Sequence, residues 1–450
     1  MSAHSAVVYF CSNCDAQYPK WVGRCTECGQ FGTVSTTPRV ISKVSKTTAF
    51  STVASTVLLG NTADVQLVKR FSSGLMEVDR VLGGGLAKAS VVLLSGEPGV
   101  GKSTLVLVLA EKCGADVLYA SGEESVEQVQ GRIKRLGLTA GRLHFTTATD
   151  IRAVVESAKQ LKPALLVVDS LQTMQLEDID GAAGSPTQTR GVLSELIALA
   201  KNLGMIVLVI GHVTKEGVAA GPKAIEHLVD IVLTLDGAEH QALRFLRASK
   251  NRFGPTDEVG VFQMAENGLI EVSNPSALFL AERHSGPGSC VAALLEGSRS
   301  LLIEVQALVT RTSNIKYPKR ATTGFDLNRL QMLLAVLGER TPIKLDFKDV
   351  YVNLAGGFKS REPSLDLAVC LAVTSAALKK TLPRDLVVWG EVGLGGEVRP
   401  VVAMERRLAE AGRLGFKQAL TPKLPANAKL PKDIELVLIR NLTEAVEWVR

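Results

Sequence analysis

Two groups of residues in this 450-residue chain have the types and spacing to do chemistry. The first is Cys11-x2-Cys14-x10-Cys25-x2-Cys28. Each Cys-x2-Cys pair turns two thiolates toward one ion, and two pairs complete a tetrahedron with Zn–S distances of ~2.3 Å. No coordination position remains open, so the spacing predicts a structural zinc finger over residues 1–31 and not a catalytic metal. So short a segment has too little core to fold without such a staple. The second group is Gly96-Glu97-Pro98-Gly99-Val100-Gly101-Lys102-Ser103-Thr104, which matches G-x4-G-K-[ST]. It stands between a strand pattern, Val91–Ser95, and a helical pattern, Thr104–Lys112. In that context the glycines let backbone N–H groups wrap phosphates, Lys102 neutralises the β/γ oxygens, and Ser103 ligates Mg²⁺.

A phosphate loop needs a second magnesium-side acid and a group that activates water. Leu165-Leu-Val-Val-Asp169 ends an apolar strand in a carboxylate and supplies the acid. The next residue is Ser170, so the base must come from elsewhere. Tyr119-Ala-Ser-Gly-Glu123-Glu124-Ser125 stands at the end of the second strand pattern, and a carboxylate there faces the γ-phosphate at the sheet edge. Glu123 is the first candidate and Glu124 the second. No Asn-Lys-x-Asp guanine-reading stretch occurs, which favours ATP over GTP.

The elements that position these groups follow from patterning. Short β-branched runs at 91–95, 117–120, 143–146, 165–169, 205–210 and 231–235 alternate with helical stretches, which implies a mostly parallel sheet covered on both faces. Before this region, thirteen of the thirty residues from Thr33 to Thr62 are Ser or Thr, a composition that reads as a tether. After Asn274-Pro275 the texture changes, with apolar segments such as Ala292–Leu295, Leu301–Leu308 and Leu386–Trp389. The expected domains are therefore 1–31, a linker at 32–62, an ATPase region at 63–274 and a second α/β domain at 275–450. Net charge is +6, and residues 1–70 carry four of it, too little for wholesale coating of nucleic acid. No apolar run approaches the ~18 residues of a membrane span. With no visible secretory signal, the chain reads as cytoplasmic, where thiols stay reduced and four clustered cysteines favour metal over disulfides.

Gly83-Gly-Gly-Leu86, the phosphate loop, Ser121-Gly-Glu-Glu124 and Asp169-Ser170 together resemble the RecA-type ATPase core. Lys250-Asn-Arg-Phe-Gly254, the four-cysteine finger and a Lon-protease-like C-terminal region narrow the resemblance to the bacterial RadA/Sms family of DNA-repair proteins. That resemblance spans the whole chain. It implies an ATP-driven DNA helicase, a hexameric ring that loads on single-stranded and branched DNA and promotes branch migration of strands paired by the RecA recombinase. It also makes Lys250 and Arg252 candidates for contacting a neighbour's ATP or coupling it to DNA, and His212 the γ-phosphate sensor. Lys215, Lys223, Lys250 and Arg252 are the expected DNA contacts, of the sequence-independent, salt-sensitive kind. The stretch Gln172–Arg190 is a poorer channel lining because it carries Glu177, Asp178 and Asp180.

The C-terminal segment Arg361-Glu-Pro-Ser364-Leu-Asp366 resembles the Lon nucleophile stretch, with Ser364 at the serine's position. Such a serine needs a lysine to take its proton. Counting along the segment after Pro400 puts Glu405 at the lysine's position, so the dyad is broken and the region is expected to be a scaffold and not a protease.

Overall fold

The apolar runs become strands because those at the centre of the sheet bury both faces. A computed structural model describes residues 6–13, 16–36, 39–41, 69–211, 225–237, 243–312, 317–423 and 433–450. The chain packs as two compact units, Met1–Thr256 with Phe262–Glu271, and Asp257–Val261 with Val272–Arg450.

In the N-terminal segment β1 (Ala6–Phe10) pairs antiparallel with β2 (Gln17–Tyr18) and β3 (Arg39–Ile41). A two-stranded ribbon, β4 (Arg70–Phe71) with β5 (Leu86–Ala87), brackets α1 (Met76–Leu82). The main sheet follows. Its parallel part is built from β6 (Val91–Ser95), β7 (Val117–Ser121), β8 (Leu143–Thr146), β9 (Leu165–Asp169), β10 (Ile206–Ile210) and β11 (Ile231–Asp236). An antiparallel extension adds β12 (Leu243–Asn251), β13 (Val259–Ala265) and β14 (Gly268–Glu271). The order is β14-β13-β12-β11-β6-β10-β9-β7-β8, so β10 separates the strand that feeds the phosphate loop from the strand that ends in Asp169.

Side-chain alternation splits this sheet into two cores. Val92, Leu94, Tyr119, Leu165, Val167 and Leu208 face a layer that includes α2 (Lys102–Lys112) and α3 (Val126–Arg135). Val91, Leu93, Leu118, Leu166, Val168 and Val207 face α4 (Ile151–Leu161) and α5 (Pro186–Leu203). Each fully buried Val or Leu contributes about 1.5–3 kcal/mol relative to exposure, which is why the central strands read as unbroken apolar runs.

In the second unit the sheet order is β17-β18-β16-β15-β19-β22-β23. The strands are β15 (Ser289–Glu296), β16 (Arg299–Arg311), β17 (Arg320–Thr323), β18 (Lys348–Leu354), β19 (Leu386–Val388), β22 (Gln418–Thr421) and β23 (Glu435–Leu438). A separate ribbon joins β20 (Glu391–Val392) to β21 (Val398–Arg399). Helices α6 (Pro275–Leu280), α7 (Leu327–Arg340), α8 (Asp366–Leu378), α9 (Met404–Arg413) and α10 (Leu442–Val449) complete it. Apart from its last turn α8 is buried all round, as its nearly unbroken apolar sequence requires. Among the described residues no helix is long and apolar enough to cross a membrane.

Candidate functional site

The phosphate loop sits between β6 and α2. Gly99 and Gly101 have φ of +77° and +110°, in the left-handed region, so side chains there would strain the turn. Gly101 caps α2 without any side-chain hydrogen bond, and the helix has no acid in its first turn. Its N-terminal N–H groups are therefore left for an anion. Lys102 is buried, and its Nζ donates to the loop carbonyls of Gly96 and Glu97 at 3.0 Å each. Burial lowers its pKa, and the carboxylates of Asp169 and Glu123 pull the other way. Arg244, on β12 and buried, donates from Nε to the Val100 carbonyl at 3.1 Å and so holds the loop from beneath. Nothing in the local sequence marked Arg244, because β12 meets the loop only through tertiary packing.

Asp169 ends β9 and is 3% exposed. The Tyr119 hydroxyl donates to its Oδ2 at 2.5 Å. Parallel register explains the pair: Tyr119 is opposite Val167 and Ser121 opposite Asp169, so the ring lies on the face that carries the acid. Burial, followed by the Asp169 charge, pushes the Tyr119 phenol well above its ordinary value, and it stays a donor. Ser103 is the second residue of α2, and with Asp169 at the end of β9 it offers two oxygen ligands. These residues fit a hard cation such as Mg²⁺, which would draw charge from the phosphates when bound.

The two glutamates are separated by their partners. Glu123 accepts from the hydroxyl of the buried Ser170, directly after Asp169, and its charge is felt at Lys102. Glu124 is paired with Arg132 on α3, and its second oxygen is buried without a partner. The structure thus brings Glu123, and not Glu124, into line with Lys102 and Asp169.

Lys250 and Arg252 lie elsewhere. β12 runs against β11, so Asn251 pairs with Ile231, and Ile231 pairs with Val92 at the start of β6. That is the opposite end of the parallel strands from the phosphate loop. Lys250 donates to the carbonyls of Glu226, His227 and Val229 at 2.9, 3.2 and 2.8 Å, and Arg252 pairs with Asp230 at 3.1 Å. Arg70, unremarked in the sequence, ties this turn to the glycine triplet. It donates to Leu82 and Gly85 carbonyls at 2.7 and 3.1 Å and to the Phe253 carbonyl at 2.6 Å. His212, Lys215 and Lys223 lie outside the described residues. Asp178 in the acidic stretch pairs with Arg152 at 2.6 Å, which accounts for one of its charges.

In the finger, Cys11, Cys25 and Cys28 bring their sulfurs within 4.8 Å of one another, and Cys11 and Cys28 stand 3.8 Å apart. Thiolates around a tetrahedral zinc at ~2.3 Å are separated by about 3.8 Å, so these three fit the ion. The Cys28 amide donates to the Cys25 sulfur at 3.4 Å and the Tyr18 hydroxyl lies 3.1 Å from it. Cys14 lies outside the described residues.

Ser364 is buried in the second unit, and the residue beside it is not Glu405. α9 buries Met404, Arg407, Leu408 and Ala411, the helical period of one face, which leaves Glu405 on the exposed face. Arg407 Nη1 approaches the Ser364 hydroxyl at 3.2 Å and also binds the Ala293 carbonyl, while Nη2 pairs with Glu362. Counting along the chain misplaced the partner by two residues, yet a guanidinium has no lone pair with which to accept a proton.

Known proteins complete the picture. A family described as an AAA domain matches residues 58–218, and one described as subunit ChlI of Mg-chelatase matches residues 330–424. The chain is 44% identical over 446 residues to DNA repair protein RadA of Pseudomonas aeruginosa, with 98% of each chain covered. It belongs to the RadA family of DNA repair proteins. RadA of Bacillus subtilis is 42% identical over 447 residues and RadA of Escherichia coli 40% over 447, each with 97% of both chains covered. A crystal structure of the RadB recombinase matches 45% of the chain at 25% identity with a TM-score of 0.37. As a RadA-family member the chain is an ATP-hydrolysing enzyme with a RecA-like core followed by a Lon-like α/β region.

Proposed function

We propose that this protein is a DNA-dependent ATPase and helicase that processes recombination intermediates, working as a hexameric ring on single-stranded and branched DNA and extending strand-exchange products made by the RecA recombinase. The observation that carries this reading is the separation, within one chain, of the phosphate loop from Lys250 and Arg252, which lie at opposite ends of the same sheet. Within one chain Lys250 and Arg252 are at the wrong end of the sheet to meet the γ-phosphate, and a neighbour offering its own Lys250–Arg252 edge supplies positive charge to the transition state. Hydrolysis at a subunit boundary then has a mechanical consequence. The relatives' designation as DNA repair proteins supports DNA as what is moved.

In the chemistry, backbone N–H groups at the start of α2 and Lys102 hold the phosphates. Asp169 and Ser103 would hold Mg²⁺, and Glu123 accepts a proton from the attacking water. Its hydrogen bond to Ser170 fixes the carboxylate beside Asp169 before nucleotide arrives. Lys250 grips three carbonyls immediately after residue 224, at the root of the segment that bears Lys215 and Lys223. It is therefore suited to pass motion from the nucleotide edge to backbone-contacting lysines. The second unit serves assembly and DNA contact without proteolysis, since Ser364 has a guanidinium for a partner.

The test is unwinding of a forked duplex by wild type, Lys102→Ala and Lys250→Ala. The reading expects unwinding by wild type only, with Lys250→Ala keeping ATP affinity. Undiminished unwinding by Lys250→Ala removes its coupling role, and ATP turnover indifferent to every DNA form removes the motor.

A further inference from the structure

We infer that Tyr119 is a positioning residue for magnesium, acting through Asp169, an assignment that rests on the ATPase reading above. Its ring is fully buried on the loop side of the sheet and stacks on Phe145 with centroids 5.9 Å apart. The hydroxyl reaches across from β7 to Asp169 Oδ2 at 2.5 Å. Register fixes the span: β7 and β9 are adjacent, and Tyr119 is opposite Val167, two residues before Asp169 on the same face.

The consequence is geometric. A carboxylate at a strand end rotates about its last torsion and can present either oxygen to the phosphate side. With Oδ2 engaged by a rigid phenol, rotation is restricted and Oδ1 is the oxygen left to meet a metal ion. A ring fixed by stacking and complete burial orients the acid at little entropic cost, whereas a serine or water would not. The neighbouring acid is held the same way, since Ser170 donates to Glu123, so the two carboxylates carry separate hydroxyl anchors. Tyrosine's size is explained by the distance to be crossed, and its polar end by the acid it meets. A purely apolar role in the core would be met by phenylalanine.

The experiment is Tyr119→Phe in the full-length protein, which keeps the ring and removes only the donor. Mg²⁺ is titrated in two ways: by steady-state ATP turnover, and by thermal stabilisation with the non-hydrolysable analogue AMP-PNP. Loss of an outer-shell partner costs about 10–100-fold in metal affinity, so the Mg²⁺ half-point should rise by at least about tenfold in both titrations. kcat at saturating Mg²⁺ should match wild type, while the melting temperature without Mg²⁺ should fall, because a buried carboxylate loses its hydroxyl donor. An unchanged half-point overturns the assignment, as does a kcat loss that excess Mg²⁺ does not restore. Should wild type hydrolyse no ATP, the ATPase reading fails, while the AMP-PNP titration still decides the role of Tyr119.

Discussion

Replacing Arg407 with alanine tests whether the buried cluster around Ser364 is structural. The guanidinium is fully buried and serves Glu362, the Ala293 carbonyl, the Ser364 hydroxyl at 3.2 Å and the Val402 carbonyl at 3.2 Å. Glu362, 19% exposed, would lose its cation while still accepting from the Leu295 amide at 2.6 Å. Breaking a buried pair by removing one partner costs about 3–5 kcal/mol, because the remaining charge is left uncompensated. For a unit of this size about 1 kcal/mol moves the melting temperature by ~2–4 °C, so a fall of roughly 6–20 °C is expected. Arg407→Lys keeps a charge but loses the fork that spans Glu362 and the backbone, and should fall between the two. The assay is thermal unfolding of the full-length protein, with hydrogen exchange of peptides covering 289–296 and 404–413 to locate the change. A loss below about 1 kcal/mol, or one confined to the first unit, would refute the reasoning.

Three other outcomes follow. Gly74→Ala should lower stability by about 1–3 kcal/mol in denaturant titration, because φ is +75° and a Cβ would stand 2.1 Å from the Lys112 carbonyl oxygen. Burial pushes the Cys290 thiol up to about 12 and raises Cys370 as well, so iodoacetamide at pH 8 should label neither in the native protein. Mass-spectrometric detection of rapid labelling at either would contradict their packing. Removing zinc with a chelator should expose Cys11, Cys25 and Cys28 to alkylation and leave ATP binding intact; unchanged labelling would argue against a metal there.

The sequence was most legible where chemistry is local. The phosphate loop is nine consecutive residues whose glycines, lysine and serine act through backbone wrapping and one helix start. Asp169 was legible for a similar reason, as an acid ending an apolar strand. What the sequence hid are partners joined by register or helix phase. Tyr119 meets Asp169 because β7 and β9 are neighbours, which no local pattern states. Arg132 pairs with Glu124 while Ser170 holds Glu123, so two adjacent glutamates are set apart by partners that the sequence does not announce. Glu405 was misassigned because α9 begins after Ala403 in a left-handed turn, and that start sets which residue faces Ser364. Arg70 and Arg244 act on backbone carbonyls far along the chain, a use of arginine with no sequence signature.

The central claim is that triphosphate cleavage is coupled to DNA, and steady-state ATP turnover with and without single-stranded DNA measures it. Turnover should be stimulated by single strands in wild type and abolished in Lys102→Ala. Equal turnover with and without DNA, or turnover that survives Lys102→Ala, would contradict it.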